Sequence, residues 1–559
     1  MSAEPNTTDN RWPKQIKYII GNEAVERFSY YGIRSILAGY ITAKAIGGIK
    51  GGLGYEKDSA TEIIHMFTSA NYLMPLLGAW FADKIAGRYN TIFYVSMIYC
   101  LGNIVLAASG FAESVNMKMA LLCAGLGLIA FGSGGIKPCV SAFMGDQFKP
   151  EQSHLLQKAY GAFYWSINFG SFFAFLVIPW IKNKWNFGIA FGVPGILMAI
   201  ATLIFWLGSK YYVRKPTNRE TKHAGFFSVF GAAWRNSPTT PWVPLLNLMA
   251  TIGLPVAAMV LMTWLGFSGK GEWHQSIHLP FTAPDALYEL TFVRALGWAA
   301  LVCAVLWYVL VLAFSFTGRT ELPDSFLNCA AKTHSERDIA SAKSLSPILF
   351  IFSFIPVFWA LFDQTNSTWV MQGNQMMPFN FFGLEIGAEE MQSANPLIVM
   401  GLVPLMTLLL YPRLGRLASP LRRMSYGMFI AAASYVVVAG IQQRVDAGAH
   451  LSILWQFVPY MVLTIAEVLV STTGLEFAFR EAAPEMKSAI MSFWLLTVTM
   501  GDLLVVTVTK LFASGTGGSD SVSAGRFMQY AGMMLLVAVL FSGAAAFYRY
   551  HDKSAAEGK

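Results

Sequence analysis

The sequence predicts an all-α membrane protein: fourteen membrane-spanning helices, arranged as two six-helix bundles with an inserted helix pair. Three observations carry that expectation. Hydrophobic residues make up 55% of the 559-residue chain and charged residues only 13%, about half the charge of an ordinary soluble domain. Apolar runs near 20 residues recur along the whole length, enough for each to cross a hydrocarbon core of about 30 Å as a helix. Lys and Arg fall unevenly between alternate connections. With the N-terminus inside, the inner connections hold more than twice as many as the outer ones, which predicts both termini in the cytoplasm and an even number of spans.

The first six spans lie near 18–46, 60–83, 89–111, 117–145, 156–181 and 187–212. Each is a continuous apolar run with helical length. A transmembrane barrel would need short alternating segments instead, and in lipid a helix satisfies its own backbone hydrogen bonds. Spans at 241–267 and 290–317 follow, flanked by the longest inner connections, and read as the inserted pair. The last six lie near 346–376, 394–411, 424–442, 451–480, 486–514 and 526–549. The domains predicted are therefore a cytoplasmic tail (1–17), a first bundle (18–215), a linker with the inserted pair (216–344), a second bundle (345–550) and a second tail (551–559). The polar first 17 residues lack an apolar core, so no cleavable signal is expected.

The net charge of +8 suits inner loops facing an anionic leaflet. No basic tract with interleaved aromatics points to nucleic acid. The five cysteines, Cys100, Cys123, Cys139, Cys303 and Cys329, are isolated and show neither metal-site nor redox spacing, so free thiols are expected. No nucleophile–base pair or metal cluster suggests an enzyme. The expected cofactor set is empty.

Charges inside spans cost at least ~2.5–3.5 kcal/mol each on insertion scales, so those present need a reason. Span 1 carries GNEAVERFSYYGIR, where Glu23, Arg27, Tyr30 and Arg34 share a helical face with Glu26 beside them. Such a face lines a polar interior or pairs with another helix. Lys137 sits in FGSGGIKPCV, where glycines permit close helix approach and Pro138 loosens the backbone. A span 1 carboxylate is its expected partner, in a static packing bridge or in a cluster that exchanges protons. His65 in span 2 has a side chain suited to a proton site, or is a neutral core histidine. Tyr72, seven residues on, shares its face, as an ordinary packed aromatic would too. In span 9, Trp359, Asp363 and Asn366 share a face; in span 12, Glu467 and Ser471 do. Glu467 is the one acid deep in its span, and the second-half spans hold no Lys or Arg near mid-membrane. It is therefore a structural partner for an unseen cation or a site for a ligand's ammonium group. Cations gather in the first half and acids in the second, as an extended zwitterion of two or three residues, roughly 7–11 Å long, would require.

At these residues the chain resembles the proton-dependent oligopeptide transporter family of the major facilitator superfamily. The motif E-x-x-E-R-F-x-Y-Y-G is matched without departure by Glu23, Glu26, Arg27, Phe28, Tyr30, Tyr31 and Gly32. DKIAGR (83–88), GGIKPCVSAFMGDQF (134–148), FYWSINFGS (163–171), FWALFDQ and AEVLVSTTGLEFAF resemble further stretches of the family, over most of both halves. The inserted pair resembles the prokaryotic branch. The resemblance implies import of di- and tripeptides with protons across the plasma membrane by a monomer. It implies proton coupling through Glu23, Glu26, Arg27, Lys137 and His65, the peptide carboxylate on Arg34 and Lys137, and its amine on Glu467. Tyr30, Tyr31, Tyr72, Asn168 and Asn395 would contact backbone or termini, and Trp359, Trp494 and Ser471 would shape side-chain pockets. His65, and Asp363 within FDQ, match animal members. Asp502 stands where the family often has Asn; it adds a titratable site or is a hydrated polar residue. The rival readings are a proton-coupled carrier of another solute, such as nitrate or a modified amino acid, and a non-transporting sensor.

Overall fold

The computed structural model describes residues 12–44, 51–149, 152, 155–214, 225–236, 327–381, 383–406, 409, 413, 419–483, 486–511 and 520–548. The predicted spans at 241–267 and 290–317, and Cys303, lie outside these residues. Among the described residues eight helices are long and apolar enough to cross a membrane, or nine if one broken pair forms a single span. The other four cysteines are free thiols.

Contacts divide the chain into two compact units. The first contains residues 1–219, and also 365–401 and 445–461, which in sequence belong to the second half. Its long helices are α1 (Ile16–Thr42), α2 (Lys57–Phe81), α3 (Arg88–Phe111), α4 (Val115–Gly145), α5 (Leu156–Lys184) and α6 (Phe187–Leu207). Ser114 and Asn186 cap α4 and α6 with side-chain oxygens on backbone N–H groups. Apolar side chains such as Ile104 and Ile196, each 64% exposed, cover the helix flanks, as lipid-facing surfaces require. Lys184 lies 5.0 Å and 5.4 Å from the ring centres of Trp180 and Trp185, an interfacial combination of cation and indole.

Small residues bring α2, α3 and α4 close together. A Cβ at Gly132 would come within 2.6 Å of Tyr99 Cβ on α3, one at Gly135 within 2.7 Å of Val95, and one at Gly78 of α2 within 2.5 Å of the Gly134 carbonyl oxygen. Helices lacking a hydrophobic drive to associate in lipid rely on such close approach. Gly78→Val should therefore lower the thermal unfolding midpoint of the detergent-purified protein, by about 1–3 kcal/mol of stability. An unchanged midpoint would show that α2 and α4 can separate at no cost.

The second unit contains residues 220–364, 402–444 and 462–559. Its described helices begin with α7 (Phe226–Asn236), α8 (Glu336–Lys343), α9 (Leu345–Phe352) and α10 (Ile355–Phe362). The predicted span 346–376 is thus broken at Ser353–Phe354, and a 3₁₀ turn over Asp363–Asn366 leads into α11 (Thr368–Gly373) of the first unit. There follow, still in the first unit, a hairpin of β1 (Phe379–Phe381) and β2 (Leu384–Ile386), the short α12 (Ala388–Met391) and most of α13 (Ala394–Leu405). The hairpin is antiparallel, with Asn380 opposite Glu385. Next come α14 (Pro420–Asp446), α15 (Phe457–Glu467), α16 (Thr473–Glu481), α17 (Lys487–Leu511) and α18 (Ala524–Phe547).

Two ion pairs occupy matching places. Arg88, which opens α3, lies 2.6 Å from Asp146 just beyond α4. In the second unit Arg423, in the first turn of α14, lies 2.9 Å from Glu476 on α16. In each half, a base opening the third span is tied to an acid closing the fourth.

Candidate functional site

The first unit gathers the charged residues of span 1 with those of α2 and α4. Glu23 and Glu26 are 2% and 0% exposed. Arg27 holds both: its Nε donates to Glu23 Oε1 at 2.7 Å and forms an ion pair with Glu26 Oε2 at 3.0 Å. The i, i+4 spacing of Glu23 and Arg27 makes the first contact local to α1. Lys137, expected beside a span 1 carboxylate, is placed against two aromatic rings within the electrostatic reach of Glu26. Its Nζ lies 4.3 Å from the Tyr30 ring centre and 4.4 Å from that of Tyr72, while Glu26 stays within its field. Arg34 lies over the same Tyr30 ring, at 5.5 Å. Tyr30 is thus shared by the two cations assigned to a carboxylate. Tyr31 packs on Tyr30 and on Phe175, at 5.3 Å and 5.6 Å.

His65 is fully buried, and its Nε2 lies 2.9 Å from Ser367 Oγ. Sequence reasoning found the histidine and missed the hydroxyl, although TNST after Asp363 was a visible run of small polar residues. Asn168 donates to the Tyr164 carbonyl oxygen, 3.0 Å away on its own helix, and Asn395 lies half-buried near the start of α13.

The second unit assembles its own group. Trp359 and Trp494 meet edge to face at 6.1 Å, with Phe352 5.2 Å from Trp494. Two glycines make room for them. A Cβ at Gly474 would stand 2.5 Å from Trp494 ring atoms, and one at Gly501 would stand 2.7 Å from Trp359 Cβ. Trp359 Nε1 is buried without a hydrogen-bond partner among the described residues. Asp363 and Asp502 are buried, 3% and 0% exposed, and Glu467 and Ser471 are half-buried. Glu467 ends α15, and a π-helical turn over Val468–Thr472 begins directly after it, containing Ser471. Such turns widen the backbone ladder and occur often at functional sites; nothing in the periodicity of AEVLVSTTGLEF announces this one. No group of three or more His, Cys, Asp or Glu side chains suited to a metal occurs among the described residues.

The sequence profile of the POT family (PTR2) matches residues 89–260 and 319–523, more than half of the chain. The chain belongs to the POT family. Among similar proteins are Peptide transporter family 1 of Drosophila melanogaster, 32% identical over 449 residues (78% of this chain, 49% of that protein), and Solute carrier family 15 member 2 of Rattus norvegicus, 29% identical over 485 residues (85% and 55%). The chain spans about half the length of the curated relatives it matches. A solved structure of the POT family transporter PepTSo is 38% identical and matches with a TM-score of 0.77 over 97% of this chain and 99% of that one. An auto-inhibited POT family peptide transporter gives 37% and 0.75 over 97% and 98%. The expected fold class, an all-α membrane protein of the major facilitator type, is thus established, as is the expected membership of a transporter family rather than an enzyme family. The helix count of fourteen rests on sequence.

Proposed function

We propose that this POT family chain imports di- and tripeptides together with protons across the plasma membrane, as a monomer with both termini in the cytoplasm. The observation that carries the reading is the placement of Arg34 and Lys137 over one tyrosine ring beside two buried carboxylates that share a single arginine. With Glu23 and Glu26 ionised, two negative charges stand near three positive ones. Adding a proton leaves one negative against three, which strengthens the field for a peptide carboxylate. A bound carboxylate in turn raises the affinity of the acids for a proton, since linkage is reciprocal. Proton and peptide then load together and leave together.

The peptide carboxylate is assigned to Arg34 and Lys137 and its amine to Glu467. Tyr30, Tyr31, Tyr72, Asn168 and Asn395 are assigned to backbone and termini, and Trp359, Trp494, Ser471 and Asp363 to the side chains and the wall around them. Recognition through termini and backbone predicts broad side-chain tolerance. The cluster of Glu23, Glu26, Arg27 and Lys137, with His65 on Ser367 as an additional titratable group, carries the proton. The names of the similar proteins, peptide transporters among them, support the substrate class.

The test is uptake of labelled dialanine into proteoliposomes under an acid-outside gradient. Accumulation that collapses with a protonophore is the expected result. Each net charge moved inward yields about 2.3 kcal/mol per 100 mV. Uptake unaffected by the protonophore would remove the proton from the reading, and dialanine uptake suppressed by nitrate would favour an anion carrier.

A further inference from the structure

A second buried acid pair, Glu389 and Glu390, lies in the first unit, away from the cluster around Arg27 and Lys137. The short helix α12 falls between predicted spans, and all four of its residues are buried. It packs against α1, α5, α11 and β2. Glu389 Oε2 lies 2.6 Å from Lys182 Nζ at the end of α5. Its other oxygen occupies a notch opened by Gly39 of α1, where a Cβ would collide with it. Gln392 Nε2 donates to the Ser35 carbonyl oxygen of α1 and to that of Glu389, both at 3.1 Å. Gln392 is 2% exposed, and its Oε1 has no hydrogen-bond partner among the described residues. Glu390 is 4% exposed, and its Oε2 accepts from the Gly387 N–H at 3.0 Å.

The charges do not balance with both acids ionised. Lys182 is engaged by Glu389. On the same helix Lys184 lies over Trp180 and Trp185. Arg34 of α1 lies over Tyr30, and the other charges of α1 (Lys17, Glu23, Glu26 and Arg27) are at least two turns further from Gly39 along the helix. Glu385 on β2 is exposed, and α11 and the 3₁₀ turn Ile453–Gln456 carry no charge. Burying a second carboxylate beside one ammonium group is costly, and a proton removes the cost.

We propose that Glu390 is a further proton-binding site of this chain, and that its protonation seats α12 on α1 and α5. Burial and the neighbouring Glu389 push its carboxyl up to about 7 from an ordinary 4.5. When α12 lifts away, Glu390 ionises from about 4.5 upward, whereas seated it stays protonated until about 7. Seating is therefore strongest in acid, weakens as pH rises through that window, and levels off above it. With the termini in the cytoplasm, α12 lies at the outer end of α1, where an acidic medium would hold it closed.

The experiment is amide hydrogen exchange of the full-length protein between pH 4.5 and 8, corrected for the intrinsic pH dependence of exchange. The peptide covering 388–394 is read against one from α6. Wild-type protection of 388–394 should fall on the order of 10²-fold across the window while α6 does not follow. Glu390→Gln, which keeps an acceptor for the Gly387 N–H, should hold the acid level of protection throughout, and Glu390→Asp should restore a pH dependence. A flat wild-type profile overturns the proposal without any variant, and so does a Glu390→Gln profile as steep as wild type. Exchange requires no transport, so the outcome is independent of whether the imported solute is a peptide.

Discussion

Lys137→Ala should reduce acid-driven accumulation of dialanine to the level of empty liposomes. In the native cluster, protonating Glu23 or Glu26 leaves Arg27, Arg34 and Lys137 facing one remaining carboxylate. Without Lys137 the same two acids face only Arg27 and Arg34, so a peptide carboxylate meets about the field after protonation that it formerly met before. The loss falls on peptide loading in the protonated state, the step that drives accumulation. Removal of an ammonium group held over two rings sacrifices contacts of about 0.5–2 kcal/mol each, but it also relieves the burial of a charge, so the protein should still fold and run as a monodisperse peak. Undiminished acid-stimulated accumulation by the folded variant would remove this cluster from the mechanism.

Glu467→Gln should raise the KM for dialanine by at least about tenfold, and leave N-acetylated dialanine much less affected. A truncated partner in a buried charge pair commonly costs 2–5 kcal/mol, and only the free peptide brings an ammonium group to pair with this carboxylate. The substitution preserves shape at the end of α15, where the π turn begins. Equal losses for the two substrates would mean that Glu467 supports the turn and does not meet the peptide amine.

Much of this architecture was readable from residue order. Composition and span length gave the fold class because a helix in lipid has few alternatives for its backbone polar groups. FGSGGIKP announced a tight helix contact, and Gly132, Gly134 and Gly135 make it with α2 and α3. The motif around Glu23 announced the acids but does not rank their contacts. A periodicity argument assigns a face; it does not choose between Arg27, one turn away on the same helix, and Lys137 across the bundle. The rings of Tyr30 and Tyr72 around Lys137 depend on side-chain rotamers that spacing does not specify. Three features escaped for a related reason. The break at Ser353–Phe354, the π turn after Glu467 and the seating of α12 are departures from regular helix, and helical periodicity is silent about them. GAEEMQ ahead of a span did advertise two adjacent acids, and only the position of Lys182 and Gly39 in three dimensions turns them into a buried pair.

The bond between Arg88 and Asp146 and that between Arg423 and Glu476 are one fastening used twice. The base is arginine in both and the acid differs, Asp in one and Glu in the other, and the surrounding sequences are unlike, yet each tie joins corresponding places in its own half. Parallel structural repeats of this kind are a recurring feature of transporters of this superfamily, and here the repetition survives as chemistry where spelling has been lost. Loosening either tie would free one end of one bundle and leave the other bundle still fastened at the equivalent point.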